Sequence, residues 1–191
     1  MQPSRSQIVA FSLTALAFGM YLLFLRNKNG KSAAATAEVY DYSSYGDKIS
    51  RGYRNNNPCN VRIGSSPWKE KITPNTDGLF EQFTSTPYGY RAALMTMRTY
   101  IRDYGLNTVK EIITRWAPAK DNNNTADYIN RVCKYTGMKP DTIISVNDRD
   151  KLTKMAYAMS IVENDTPLYR NLLQSLGLPN MEAIQLGWSL I

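Results

Sequence analysis

Residues 6–25 pass twenty positions without one charged side chain (SQIVAFSLTALAFGMYLLFL), and this run constrains the chain more than any other feature. As a helix rising about 1.5 Å per residue it is about 30 Å long, the thickness of a bilayer's hydrocarbon core. Ser12, Thr14 and Gly19 are tolerable there, because a helix satisfies its own backbone and hydroxyls bond back to it. A run apolar on every face makes a poor core helix. The competing reading is a cleaved signal peptide, with Ala35-Thr36-Ala37 as the cleavage triplet. That triplet lies well past the apolar run, with Arg26, Lys28 and Lys31 between, which favours a retained anchor. The flanking charges would hold the following domain on the cytoplasmic side of a cell membrane.

The sequence therefore predicts three parts: a membrane anchor helix at residues 1–26, a polar, aperiodic linker at 27–48, and a folded domain at 49–191. Net charge is +7, but residues 1–31 hold Arg5, Arg26, Lys28 and Lys31 and no acid. The remainder carries 19 basic against 16 acidic side chains, which suits an anionic polymer weakly and does not predict a specific nucleic-acid partner.

The chain has no histidine. That excludes Ser-His-Asp and Cys-His nucleophile systems and His-ligated zinc. Cys59 and Cys133 fit no metal or CxxC pattern; they read as free thiols, with one disulfide as the alternative. No cofactor and no metal is expected.

Within the domain, residues 60–63 and 79–83 read as two short strands separated by Gly, Pro and Asn punctuation, which predicts a small β-hairpin lobe. The rest reads as helix. Tyr90, Leu94, Met97, Ile101 and Tyr104 keep helical spacing up to Gly105. Thr108-x-x-Glu111 is a capping box. Further helices are expected from near Thr125 to Gly137, from about Asp148 to Val162, and from Pro167 to Gly177. The expected fold is α+β, mostly α.

One string stands out: Arg51-Gly52-Tyr53-Arg54-Asn55-Asn56-Asn57-Pro58-Cys59-Asn60-Val61-Arg62. Its amides and tyrosine suit a partner rich in hydroxyls and N-acetyl groups, as sugars are. Equally, Asn bonds its own backbone well, and the string reads as a turn-rich loop.

RGYRNNNPCNVR, then SPW, then DGLFEQFTSTPYGYRAAL, then LNTVKEIITRWAPAKDNNNTADYINRVCKYTG resemble, in that order across residues 51–137, a family of phage-encoded lysozyme-like proteins and lytic transglycosylases. That family carries RGxRNNNPGNxR, a following Trp, DGxFxxF, WAPxxxN and TxxYxxxV. A more distant resemblance is to the NNLFGIK segment of bacterial glucosaminidases. The resemblance implies a lysozyme-like domain found in virions or lysis modules, cleaving peptidoglycan glycan strands. Cys59 departs from the family's Gly, which suggests an altered backbone angle or packing there.

Chemistry points the same way. Peptide and amide cleavage in the wall generally call on zinc or a Cys-His pair, and both need His. Glycan cleavage needs one carboxylic acid to protonate the glycosidic oxygen, plus a base, a nucleophile or a substrate hydroxyl. Glu163 is the candidate acid. It ends an apolar helix before a polar turn, where desolvation would keep its proton on near neutrality. The family's HENG-like segment matches there, with Asn164 kept and Val162 and Asp165 in place of His and Gly. The bland alternative is a surface Glu near a helix end. Glu81 is a possible second carboxylate, or simply the solvent face of a hairpin. The expected substrate-binding residues are Tyr53, Asn55, Asn56, Asn57, Asn60, Trp68 and Tyr128; Trp116 could stack on sugar but spaces like core.

The expected function is thus a membrane-anchored, virion-associated peptidoglycan-degrading enzyme, a lytic transglycosylase or muramidase used in wall penetration or lysis. Its expected partners are glycan strands, the lipid bilayer of the virion or host inner membrane, and capsid proteins. The alternative is a non-enzymatic minor virion membrane protein whose domain binds glycan or packs on capsid.

Overall fold

The structure, a computed structural model, describes residues 40–191. These fall in one compact unit. The anchor expected at 1–26 lies outside the described residues. Among the described residues no helix is long and apolar enough to cross a membrane, and a transmembrane helix forms no part of the fold described below.

Capping residues set most of the helices. After a 3₁₀ segment at Ser43–Lys48 comes the single turn α1, Arg51–Arg54. Helix α2, Thr86–Tyr104, has Pro87 in its first turn and stops at Gly105, whose left-handed backbone (φ 66°) lets its N–H return to the Tyr100 carbonyl. In α3, Val109–Trp116, the Thr108 hydroxyl accepts from the Glu111 N–H while Glu111 accepts from the Thr108 N–H. The Asn124 side chain caps α4, Thr125–Thr136, and Asp148 caps α5, Arg149–Asn164. Two shorter helices follow, α6 at Arg170–Ser175 and α7 at Met181–Ser189.

Helix α2 is the central element. Its Tyr90, Leu94 and Met97 are buried with Ile112 and Ile113 of α3, Val132 of α4 and Leu152, Met155 and Met159 of α5. Helix α7 lies across α2 so closely that a Cβ at Gly187 would sit 2.8 Å from the Pro87 carbonyl oxygen. At Gly89 an added Cβ would sit 2.1 Å from the Asn56 carbonyl oxygen, so α2 and the asparagine-rich loop meet backbone to backbone. A smaller cluster of Ile49, Tyr53 and Leu173 packs with Tyr42 and Tyr169. Tyr40, Asp41 and Tyr42 also join the fold: Tyr40 is buried, and the Tyr42 N–H and Asp41 carboxylate both bond the Asn56 side chain.

The β-hairpin lobe does not form. Among the described residues there is no strand; the two segments meet in one isolated antiparallel bridge, Arg62 with Phe80, flanked by bonds from the Ile63 N–H to the Leu79 carbonyl and from the Glu81 N–H to the Val61 carbonyl, and a second bridge pairs Lys71, from the loop between them, with Phe83. Side chains take neighbouring backbone groups that a longer ladder would pair. The Asn57 amide donates to the carbonyls of Val61 and Glu81 and accepts from the Val61 N–H. Asn75 donates to the Phe80 carbonyl, and Asp77 accepts from the Phe80 N–H. Positive φ at Asn60 (53°) and Glu70 (56°) bends the chain out of register. The fold is helical around a loop lobe ordered by amides, and the α+β class is corrected accordingly.

Candidate active site

Helix α5 buries its apolar stripe on α2 and delivers Glu163 in its last turn to the wall of a cleft of about 890 Å³. The loop after α1 brings Asn60 and Arg62 to the same cleft, and α3 brings Trp116 from its C-terminal end. Trp68, Phe80 and Tyr100 add aromatic surface.

Both carboxylate oxygens of Glu163 are held. The Tyr128 hydroxyl donates to Oε1 at 2.8 Å, and the Asn60 Nδ2 donates to Oε2 at 2.9 Å. Burial pushes the carboxyl up from the ordinary glutamate value; hydrogen bonds from Asn60, Tyr128 and Trp116 and the charge of Arg62 offset part of that rise. Burial also raises the Tyr128 phenol well above its usual range, and the Glu163 charge adds to this, so Tyr128 stays a donor. The remaining polar atom of Asn60, Oδ1, is buried without a hydrogen-bond partner.

Asn164, the next residue, fixes the end of α5 to the asparagine loop. Its Oδ1 accepts from the Ser50 hydroxyl at 2.7 Å, and its Nδ2 donates to the Pro58 and Ser160 carbonyls, each at 2.7 Å. Gly52 makes room: a Cβ there would lie 2.5 Å from the Asn164 Oδ1. Cys59 is fully buried, and its thiol faces the Ala156 carbonyl of α5 at 3.5 Å. The left-handed residues of this loop are Asn56 and Asn60, not Cys59. Both cysteines are free.

Of the residues singled out from sequence, Glu163, Asn60, Trp68 and Trp116 line the cleft, and the Tyr128 hydroxyl bonds Glu163. The others face inward. Tyr53 is 1% exposed and its hydroxyl lies 3.4 Å from that of Tyr90. Asn55 bonds Asp77 and Gln82; Asn56 bonds Asp41 and the carbonyls of Phe83 and Thr84; Asn57 bonds Val61 and Glu81. These amides build the loop that presents Asn60, and none of the three lines the cleft. Glu81 is fully buried, and its Oε1 accepts from Lys71 at 2.9 Å and from the Gly64 N–H at 3.1 Å. It does not line the cleft.

The sequence reading missed Arg62, Lys110, Arg115 and Lys120, all of which line the cleft. On an amphipathic helix such as α3 a charged residue looks like plain solvent face, so no local signal separates the two. Among the described residues no group of three or more Cys, Asp or Glu side chains is placed to hold a metal ion.

No family model matches the chain. Over 110 residues it is 37% identical to Protein P5 of Pseudoalteromonas phage PM2, an alignment that takes in 56% of this chain and 68% of that protein.

Proposed function

The chain belongs to the family of Protein P5 of Pseudoalteromonas phage PM2, and from that premise we propose that it is a virion-associated enzyme that cleaves the glycan strands of peptidoglycan. The observation that carries this reading is Glu163: a carboxyl at a cleft wall, gripped at both oxygens by Asn60 and Tyr128 and shifted toward its protonated form.

In the proposed reaction, the Glu163 carboxylic acid gives its proton to the glycosidic oxygen as the bond to the anomeric carbon breaks. The carboxylate left behind is stabilised at once by the Tyr128 and Asn60 donors, which are already in place. It then takes a proton from the group that attacks the anomeric carbon. The aromatic faces of Trp68, Phe80 and Trp116 offer stacking surface for sugar rings.

A single carboxylate supports a transglycosylase, in which the sugar's own hydroxyl attacks and one Glu acts as acid and then as base. Of the other acids in the cleft, Glu111 is engaged by the Thr108 hydroxyl and by the N–H groups of Asn107 and Thr108, and Asp121 is exposed. Neither has the desolvated setting of Glu163.

The test is muropeptide release from purified peptidoglycan by the full chain, with mass spectrometry of the products. Anhydro-sugar ends support the transglycosylase, and new reducing ends support a hydrolase. Full activity in Glu163→Gln, or no release by the wild-type chain, overturns the proposal.

A further inference from the structure

We infer that the cleft selects a glycan bearing free carboxylates, and that Arg62, Lys110, Arg115 and Lys120 are the residues that receive them; the inference rests on the glycan-cleaving reading above. All four side chains are exposed and line the cleft with Glu163. Arg62 comes from the loop that carries Asn60. Lys110 and Arg115 come from α3, and Lys120 from the 3₁₀ turn Ala119–Asp121.

Two observations set these cations apart. First, none of them is in an ion pair. Every ion pair among the described residues uses a cation outside the cleft: Arg51, Arg54, Lys71, Arg102, Arg131, Lys151, Lys154 or Arg170. Acids do share the cleft, but Glu111 is turned back onto the N-terminus of its own helix. Second, the two arginines are positioned rather than loose. The Arg115 guanidinium lies 4.5 Å from the Tyr104 ring centroid and 5.7 Å from that of Tyr100; Arg62 lies 5.8 Å from the centroid of Phe80.

The cleft also carries the acids Glu111, Asp121 and Glu163, so the four unpaired cations give it a small positive excess, and a guanidinium fork matches a carboxylate with two parallel hydrogen bonds. A neutral polymer of N-acetylated sugars requires none of this, because amides and aromatic faces recognise it. A strand with a lactyl ether or peptide carboxylate on alternate sugars supplies anions at intervals along the cleft. A nucleic acid fits less well, since its closely spaced phosphates would also meet the carboxylates of Glu111, Asp121 and Glu163.

The experiment measures binding of the full chain to four probes at low and high salt. They are a neutral N-acetylglucosamine hexamer, peptide-free glycan strands with their lactyl carboxylates, the same strands with those carboxylates amidated, and duplex DNA. The carboxylate strands are expected to bind about tenfold or more tighter than the hexamer or the amidated strands, with the preference shrinking in high salt. Arg62→Gln and Lys110→Gln, each checked for an unchanged unfolding midpoint, are expected to shrink the preference for carboxylate strands over the hexamer and the amidated strands. Equal binding of hexamer, amidated and native strands overturns this inference and leaves the glycan reading standing. Failure to bind any of the three glycans overturns both. Tighter binding of DNA than of the carboxylate strands overturns the inference in favour of a phosphate polymer.

Discussion

Asn164→Ala tests the joint that positions the candidate acid. The Asn164 side chain is 2% exposed and ties three chain segments with three bonds of 2.7 Å. Truncation leaves the Ser50 hydroxyl and the Pro58 carbonyl without their partner in a buried setting. Each stranded group costs about 1–3 kcal/mol, and the small void adds to that. The Ser160 carbonyl loses least, since it lies within α5. The expected loss is therefore about 3 kcal/mol, a large part of the 5–15 kcal/mol typical of a domain but short of unfolding it. Urea unfolding of the full chain followed by tryptophan fluorescence reads this directly. Asn164→Asp sharpens the test by turning a carboxylate oxygen toward the two carbonyls, and its loss is expected to exceed that of Ala. If Asn164→Ala falls within about 0.5 kcal/mol of wild type, as an ordinary surface substitution would, the account of this joint is wrong.

Three further outcomes are expected. Because the folded-state pKa of Glu163 is raised, wild type loses stability as pH climbs through the interval between the ordinary glutamate value and the raised one. Glu163→Gln is thus expected to melt higher than wild type near neutrality, the gap closing below the ordinary glutamate range; a gap that grows in acid refutes the assignment. Tyr128→Phe removes a donor to the Glu163 carboxylate, so carbon-detected titration of Glu163 is expected to move further upward, and a downward move contradicts the geometry. At Asp77 burial acts to raise the pKa, but hydrogen bonds from Arg51, Asn55 and the Phe80 and Leu79 N–H groups hold the carboxyl well below its usual range. That stability is present above the ordinary aspartate value and is lost as pH falls through the depressed one. Asp77→Asn is expected to cost about 2 kcal/mol at neutral pH and progressively less in strong acid, read by denaturant midpoints.

The helices were legible where a local device announces them, as with the Thr108–Glu111 box and the glycines at 105 and 137. Helix α7 was not, because Gly187 in its interior is chosen for a close crossing with α2 rather than for helix propensity. The hairpin was misread for a different reason. Turn residues do set off two extended stretches at 60–63 and 79–83, but that punctuation cannot tell whether backbone groups pair with each other or with Asn57, Asn75 and Asp77. The same blind spot made Asn55, Asn56 and Asn57 read as sugar contacts when their amides face inward. Glu163 could be picked out by its place at the end of an apolar helix. Its partners Asn60 and Tyr128 lie 103 and 35 positions away along the chain; the density of amides drew attention to the first and the family-like motif to the second.

Gly89 carries a consequence for how this protein can diverge. Main chain touching main chain leaves no slack to be taken up by a rotamer, so the height of the Asn60 loop above α2 is a fixed dimension of the molecule. A methyl group at position 89 would lift the loop and carry Asn60 off the Glu163 carboxylate without altering any residue that lines the cleft.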